Sequence, residues 1–103
     1  MKINFERTGG FANFRFAGNF DLDNLPDETA SLLKDLLEQT DFRSLPKQVL
    51  GKSSIPDQFH YSIEVITPTW KHAVFTDERN ASEPLRQLIQ KLNELTRSQA
   101  RKG

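Results

Sequence analysis

The spacing of apolar residues alternates along the chain between about two and about 3.6 residues, and this alternation limits the fold more than any other feature. Segments 3–16 and 59–76 alternate apolar and polar side chains, which is the pattern of a half-buried strand. Turn residues interrupt each segment, Gly9-Gly10 in the first and Pro68 in the second. Because paired glycines adopt the positive φ angles of tight turns, and proline also marks a turn, each segment predicts a β-hairpin.

Each hairpin is followed by a segment with helical spacing. After Pro26, which suits the first turn of a helix, Ala30, Leu33 and Leu37 recur on one face until the pattern ends near Thr40. Ser82 is a good N-cap for a second helix, whose apolar residues repeat at i, i+3, i+4, i+7 and i+10: Leu85, Leu88, Ile89, Leu92 and Leu95. Both stripes predict helix faces that are buried in the core.

The order hairpin, helix, hairpin, helix predicts an α+β domain of ββαββα architecture, with a four-stranded antiparallel sheet and both helices on one face. We expect the first helix to return the chain to the glycine end of the sheet, where the third strand begins and pairs with the first, in the order 2-1-3-4. Alternatively, the third strand pairs with the second, and the Pro68 turn joins the glycine turn. The predicted domain covers residues 1–97, and the basic residues 98–103 are expected to form a flexible tail.

Composition and charge exclude several classes of function. The 103 residues contain no cysteine, and 14 basic residues balance 14 acidic ones. Disulfides and thiolate metal sites are therefore excluded, and there is no global positive field for binding nucleic acid or anionic membranes. Residues 1–7 lack the apolar run of a secretion signal, and no segment has the ~20 apolar residues of a membrane span. We expect a cytoplasmic protein that is a monomer when free and binds neither nucleic acid nor membranes.

The sequence also lacks the residue patterns of common active sites. His60 and His72 are the two histidines, and His72 faces either Glu64 or Val65 across the second hairpin, depending on the length of its turn. Two histidines on strands, without cysteine, are expected to be ordinary surface residues rather than metal ligands. No GxGxxG, P-loop or HExxH pattern occurs. We therefore predict no enzyme activity, no cofactor and no metal site of the chain's own.

The segment from Asp41 to Gln58 has no regular period. Prolines, glycine and serines interleave with isolated apolar residues throughout it. Loops of this length are uncommon inside a small domain, and those that occur are usually functional or disordered. Segment 41–58 is therefore the first place where we expect a surface that binds another protein.

Several short motifs, in their order along the chain, resemble those of the emfourin family. They are Met1 to Ala12 with its Arg7-Thr8-Gly9-Gly10-Phe11, Asp23-Asn24-Leu25-Pro26, the Ala/Leu-rich helix with Asp41-Phe42 and Leu45-Pro46 after it, and Asp57-Gln58-Phe59-His60-Tyr61. Each motif is weak alone, and the Arg-x-Gly-Gly-Phe start is the most specific. The resemblance extends from Met1 to the second helix. It implies a cytoplasmic bacterial inhibitor of protealysin-like peptidases, which are zinc metallopeptidases of the thermolysin family.

The resemblance implies a target whose catalytic zinc keeps an open coordination position. An inhibitor can occupy that position with a carboxylate oxygen, since zinc accepts Asp or Glu at about 2.0–2.2 Å. Asp57, which follows Ile55-Pro56 in the long loop, is the first candidate for this role. The further candidates are Asp41, Asp21 and Asp23. Alternatively, Asp57 only makes a turn before the third strand.

The resemblance also implies a target that prefers a large apolar side chain next to the bond it cuts, and Phe11 is the candidate for that subsite. Either Phe11 enters the pocket of the peptidase, or it packs in the core with Phe5. The other predicted contact residues lie at the glycine turn and in the long loop: Gly9, Gly10, Val49, Leu50, Ile55 and Pro56. A second hypothesis, from another class, is a regulatory interaction domain that uses the same loops to bind a partner other than a peptidase.

Overall fold

A computed structural model describes residues 1–9, 16–49, 59–77 and 79–101 of the chain. These residues form two α-helices and five strands: β1 (Lys2–Gly9), β2 (Phe16–Asp21), α1 (Asp27–Thr40), β3 (Gln48–Val49), β4 (Phe59–Ile66), β5 (Lys71–Asp77) and α2 (Glu83–Arg101). Short 3-10 helices cover Leu22–Asn24 and Phe42–Ser44. The predicted α+β order of hairpin, helix, hairpin and helix is confirmed. The tight turn predicted at Gly9-Gly10 is wrong, because Gly9 belongs to β1 and Arg7 pairs with Phe16, whereas a turn at the two glycines would pair Thr8 with Phe11. The second strand was predicted within 11–16, but β2 runs from Phe16 to Asp21.

The described strands form one mixed sheet in the order β2-β1-β4-β5-β3. β1 pairs antiparallel with both β2 and β4, and β4 pairs antiparallel with β5. The four hairpin strands therefore have the order 2-1-3-4, and the alternative in which the third strand pairs with the second is wrong. The prediction of a four-stranded, purely antiparallel sheet is incomplete, because β3 adds a fifth strand parallel to β5. A strand of two residues is too short to show a period in the sequence.

Both helices cover the same face of the sheet, as predicted. Leu33 of α1 and Leu88 of α2 are 0% exposed, and they belong to one hydrophobic cluster with the inward residues of the central strands. These inward residues alternate along β1 and β4: Ile3, Phe5, Tyr61, Ile63 and Val65. On the other face the residues between them are polar, and Asn4 Nδ2 donates a hydrogen bond of 2.9 Å to Glu64 Oε1. The strand period thus separates a core face from a polar face.

The first helix does not return the chain to the glycine end of the sheet, so this prediction is wrong. Phe42, just after α1, packs edge-on against His72 with ring centroids 5.7 Å apart, and Arg43 lies 5.5 Å from the Trp70 ring centroid. Trp70 belongs to the turn between β4 and β5, whereas Gly9 pairs with the opposite end of β4. The helix starts beyond the edge strand β2 and ends beside this turn, so it lies across the strands rather than along them.

Residues 42–49 return the chain to the glycine end instead. Along this path the Phe75 N–H donates to Lys47 O at 2.8 Å, and His72 Nε2 lies 2.7 Å from Leu45 O. β3 then continues parallel to β5, toward the same end of the sheet as Gly9. Part of the predicted loop 41–58 is therefore hydrogen-bonded to the edge of the sheet.

The helix boundaries agree with the predicted start and stop signals. Pro26 directly precedes α1, and Asp41 ends it in the left-handed conformation with φ of 52°. The N-cap role predicted for Ser82 is confirmed, because its Oγ accepts a hydrogen bond of 3.4 Å from Leu85 N. α2 continues to Arg101, so it includes the first residues of the segment predicted as a tail, while the domain boundary at residue 97 stays a prediction. Neither helix of the described chain combines the length and apolarity needed to cross a bilayer.

Candidate functional site

One row of paired residues crosses all five strands near the glycine end of the sheet. Phe16 on β2 pairs with Arg7 on β1, and Arg7 pairs with Tyr61 on β4. Tyr61 pairs with Thr76 on β5, and Thr76 pairs with Val49 on β3. Since directly paired residues share a face of the sheet, the side chains of this row lie on the side that the helices cover.

Both segments that carry the predicted contact residues start and end at this row or within two residues of it. Segment 10–15 lies between Gly9 and Phe16, and segment 50–58 lies between Val49 and Phe59. Gly9 and Phe59 form a direct antiparallel pair. This part of the sheet, called the glycine end above, is marked by Gly9, Phe16, Val49 and Phe59. From here on we call it the loop end.

The structure describes two of the eight predicted contact residues. Gly9 ends β1 with a φ of 101°, a backbone conformation that favours glycine because residues with a Cβ rarely adopt it. Val49 is half-buried and packs against the hydrophobic core. Six residues lie outside the described part of the chain and stay predictions: Gly10, Phe11, Leu50, Ile55, Pro56 and Asp57.

The structure separates the alternative aspartates from the loop end. Asp21 pairs with Lys2 at the opposite end of β1, and its Oδ1 accepts a hydrogen bond of 3.1 Å from Asp23 N. Asp41 caps α1 and lines a surface pocket that also includes Trp70, in the turn at that opposite end. Asp57 precedes Phe59 by two residues, so it is the aspartate among the four candidates that the chain joins to the loop end.

A contact between one cation and two rings at the loop end was not expected from the sequence. The guanidinium carbon of Arg7 lies 4.7 Å from the ring centroid of Phe16 and 4.7 Å from that of Phe59. Phe59 is 39% exposed, although large apolar side chains of the described core are buried. The signal in the sequence is a cation at an inward position of the alternating pattern, two residues after Phe5.

Thr76 is a second residue with a role that the sequence did not reveal. Its side chain is fully buried, and its Oγ1 donates a hydrogen bond of 2.9 Å to Val49 O. Val49 is the last described residue before segment 50–58. The hydroxyl therefore ties the start of this segment to the sheet, in addition to the backbone pairing of β3 with β5.

The two histidines point to opposite faces of the sheet, so they cannot share a metal ion. His72 pairs with Val65, the outcome expected for a two-residue turn, and it lies on the core face. His60 lies on the other face, where its ring stacks on Phe75 with centroids 5.4 Å apart. Within the described residues, no group of three or more His, Cys, Asp or Glu side chains is arranged to hold a metal ion.

The described strands bring the ends of segments 10–15 and 50–58 together at one end of a sheet that is backed by helices, and binding residues are often carried by segments that a rigid scaffold positions in this way. The emfourin family model matches residues 5–93, and the chain belongs to the emfourin family. A solved structure described as emfourin (M4in) from Serratia proteamaculans, an M4 family peptidase inhibitor, is 21% identical, with a TM-score of 0.47 over 87% of this chain and 86% of that one. No curated protein matches the sequence significantly.

Proposed function

We propose that this protein inhibits thermolysin-like peptidases of the M4 family, and that it blocks their active-site cleft with the two loops of the loop end. Membership of the emfourin family supports the class of target, and the Serratia emfourin is described as an M4 family peptidase inhibitor. The family is one of protease inhibitors, so the chain is not an enzyme.

The observation that carries the proposed geometry is the direct pairing of Gly9 with Phe59. Phe11 follows Gly9 by two residues, and Asp57 precedes Phe59 by two residues. Paired residues of antiparallel strands lie ~5 Å apart, and each further residue extends the chain by at most ~3.5 Å. The Cα atoms of Phe11 and Asp57 are therefore at most about 20 Å apart, which is short enough for both side chains to enter one cleft.

In the proposed mechanism the two side chains fill different subsites. The carboxylate of Asp57 would occupy the open coordination position of the peptidase's zinc, which accepts Asp or Glu oxygen at about 2.0–2.2 Å. The ring of Phe11 occupies the pocket that accepts a large apolar side chain of the substrate. The metal belongs to the peptidase, and this chain supplies one oxygen ligand and one apolar group.

The first experiment adds the purified protein to an M4 peptidase and follows cleavage of a peptide substrate with time. Stoichiometric amounts are expected to slow cleavage, whereas the same amount of heat-unfolded protein leaves the rate unchanged. If the folded protein does not slow cleavage, the inhibitor function is wrong, and an interaction domain with a non-peptidase partner becomes the better hypothesis.

The second experiment measures inhibition by Asp57→Ala and Phe11→Ala. Each substitution is expected to weaken inhibition by at least ~2 kcal/mol, about thirtyfold, because a charged ligand and a buried aromatic ring are typical interface hot spots. The two losses are expected to add, since the residues fill separate subsites. Asp35→Ala and Leu32→Ala are controls, because both remove an exposed acidic or apolar side chain of α1, and neither residue is a candidate contact.

Two outcomes decide whether Asp57 and Phe11 have the proposed roles. A folded Asp57→Ala variant that inhibits as well as the parent removes Asp57 from the mechanism. A large fall in melting temperature with Phe11→Ala shows that Phe11 packs in the core with Phe5, which is itself stacked on Tyr61. The protealysin-type target, the monomeric state and the cytoplasmic location stay predictions.

A further inference from the structure

Arg7 touches one residue from the base of each loop. Its guanidinium carbon lies 4.7 Å from the ring centroid of Phe16, where segment 10–15 ends, and 4.7 Å from that of Phe59, where segment 50–58 ends. Phe16 is on β2 and Phe59 is on β4, with β1 between them. A single side chain on the middle strand therefore links the bases of both loops.

The residue of β1 directly opposite Phe59 makes no side-chain contact with its ring. Its direct partner on β1 is Gly9, which has no side chain to pack against it. The diagonal neighbour Arg7 supplies the missing contact, and a diagonal pair is within the reach of long and aromatic side chains. Phe59 is 39% exposed, and Arg7 is a neighbour on β1 whose guanidinium contacts its ring.

Cation–π attraction favours an arrangement in which the Arg7 guanidinium lies against the rings of Phe16 and Phe59. An arginine within about 6 Å of an aromatic centroid is attracted by the negative face of the ring, and the attraction grows when the cation is partly desolvated. Arg7 is half-buried, and both centroids lie well inside that distance. The planar guanidinium also stacks on rings in a way that a lysine ammonium does not.

We infer that Arg7 is a positioning residue that holds the bases of the two loops in a fixed relation before the peptidase binds. The inference rests on the proposed function, and it assigns a role to the arginine of the Arg-x-Gly-Gly-Phe motif. Holding both bases in place reduces the conformational entropy lost on binding, which strengthens inhibition without adding a contact to the peptidase.

The main test compares Arg7→Met with Arg43→Met. Methionine keeps an unbranched apolar side chain and removes the guanidinium. Arg43 is the matched control, because it also lies over an aromatic ring, 5.5 Å from the centroid of Trp70, but at the opposite end of the sheet. Arg7→Met is expected to raise the inhibition constant about tenfold, or ~1.4 kcal/mol, while Arg43→Met leaves it unchanged. Full inhibition by folded Arg7→Met overturns the inference.

A double-mutant cycle separates positioning from direct contact with the peptidase. When Phe16 and Phe59 are both leucine, Arg7 has no rings to hold, so Arg7→Met is expected to cause no further loss of inhibition. A further tenfold loss in that background shows that Arg7 contacts the peptidase itself, which contradicts the positioning role. If Arg7→Met does not fold, Arg7→Lys replaces it in the same cycle, and full inhibition by Arg7→Lys overturns the need for a planar guanidinium.

Amide hydrogen exchange gives a readout that does not involve the peptidase. Exchange at Gly9, Phe16 and Phe59 is expected to be about tenfold faster in Arg7→Met than in the parent, and unchanged in Arg43→Met. If the parent protein fails to inhibit, the proposed function is wrong. If exchange nevertheless rises in Arg7→Met as expected, the contact of Arg7 with the two rings still stabilises the loop end. Unchanged exchange in Arg7→Met shows that the rings are held without Arg7.

Discussion

Gly18 lets α2 pack closely on β2, and replacing it with alanine is expected to destabilise the fold. A Cβ at this position would lie 2.7 Å from Thr96 Oγ1, 2.9 Å from Phe20 Cζ and 3.1 Å from Thr96 Cγ2. Both neighbours are buried, and Thr96 Oγ1 is itself fixed by its hydrogen bond of 2.7 Å to Leu92 O. Neither side chain can move away without loss of packing or of that bond.

The expected change in the free energy of unfolding is the difference between two opposing effects. Overpacking a close contact costs ~1–3 kcal/mol, while replacing glycine with alanine inside a strand returns ~0.5–1 kcal/mol of backbone entropy. The free energy of unfolding of Gly18→Ala is therefore expected to fall by about 1–2 kcal/mol. For a domain of this size, that change lowers the melting temperature by roughly 4–16 °C.

Thermal and urea unfolding monitored by circular dichroism measure this loss. Ala17→Ser is the control, because Ala17 is exposed on the other face of the same strand, and its stability is expected to change by less than about 0.5 kcal/mol. In a Thr96→Ala background two of the three close contacts disappear, so Gly18→Ala is expected to cost less. An unchanged melting temperature for Gly18→Ala, or an undiminished loss in the Thr96→Ala background, would refute the steric reasoning.

The remaining predictions concern the core and the metal. Leu33→Ala and Leu88→Ala are each expected to lower the free energy of unfolding by ~2–5 kcal/mol, measured by urea denaturation, because both side chains are 0% exposed; near-neutral effects would contradict their burial. Calorimetric titration of the free protein with zinc is expected to show no stoichiometric site, since His60 and His72 lie on opposite faces of the sheet; a micromolar site would show that this geometry is wrong.

The secondary structure and most of the topology could be predicted from the sequence, because the periods are strong where the elements are long. The stripe from Leu85 to Leu95 and the alternation around Tyr61 each bury one face, and burial leaves a single way to orient such elements. The path after α1 could not be predicted. A helix can cross a sheet at several angles, and the contacts of Phe42 with His72 and of Arg43 with Trp70 join residues far apart in sequence.

Some features of the candidate site could likewise be predicted from the sequence, and others could not. The glycines Gly9-Gly10 and the irregular segment before Phe59 were visible as breaks in the pattern, so the two segments between strands could be located, but the register of β1 with β2 differs from the one that a turn at Gly9-Gly10 predicts. Their attachment to one row of the sheet depends on the register of β1 with β4. Arg7 at an inward position had no interpretation from the sequence, since the two rings that surround it come from other strands.

The sequence by itself determined the class of fold, the family and the absence of cysteine chemistry, because periodicity, motifs and composition are properties of the chain alone. Only the tertiary structure decided that Asp21, Asp23 and Asp41 lie away from the end of the sheet that carries Gly9, and which described side chains contact each other at that end. Strand register sets these neighbours, and register results from the packing of the whole core rather than from local preference. Arg7 between Phe16 and Phe59 is the clearest example, since the three residues meet only after β2, β1 and β4 have paired.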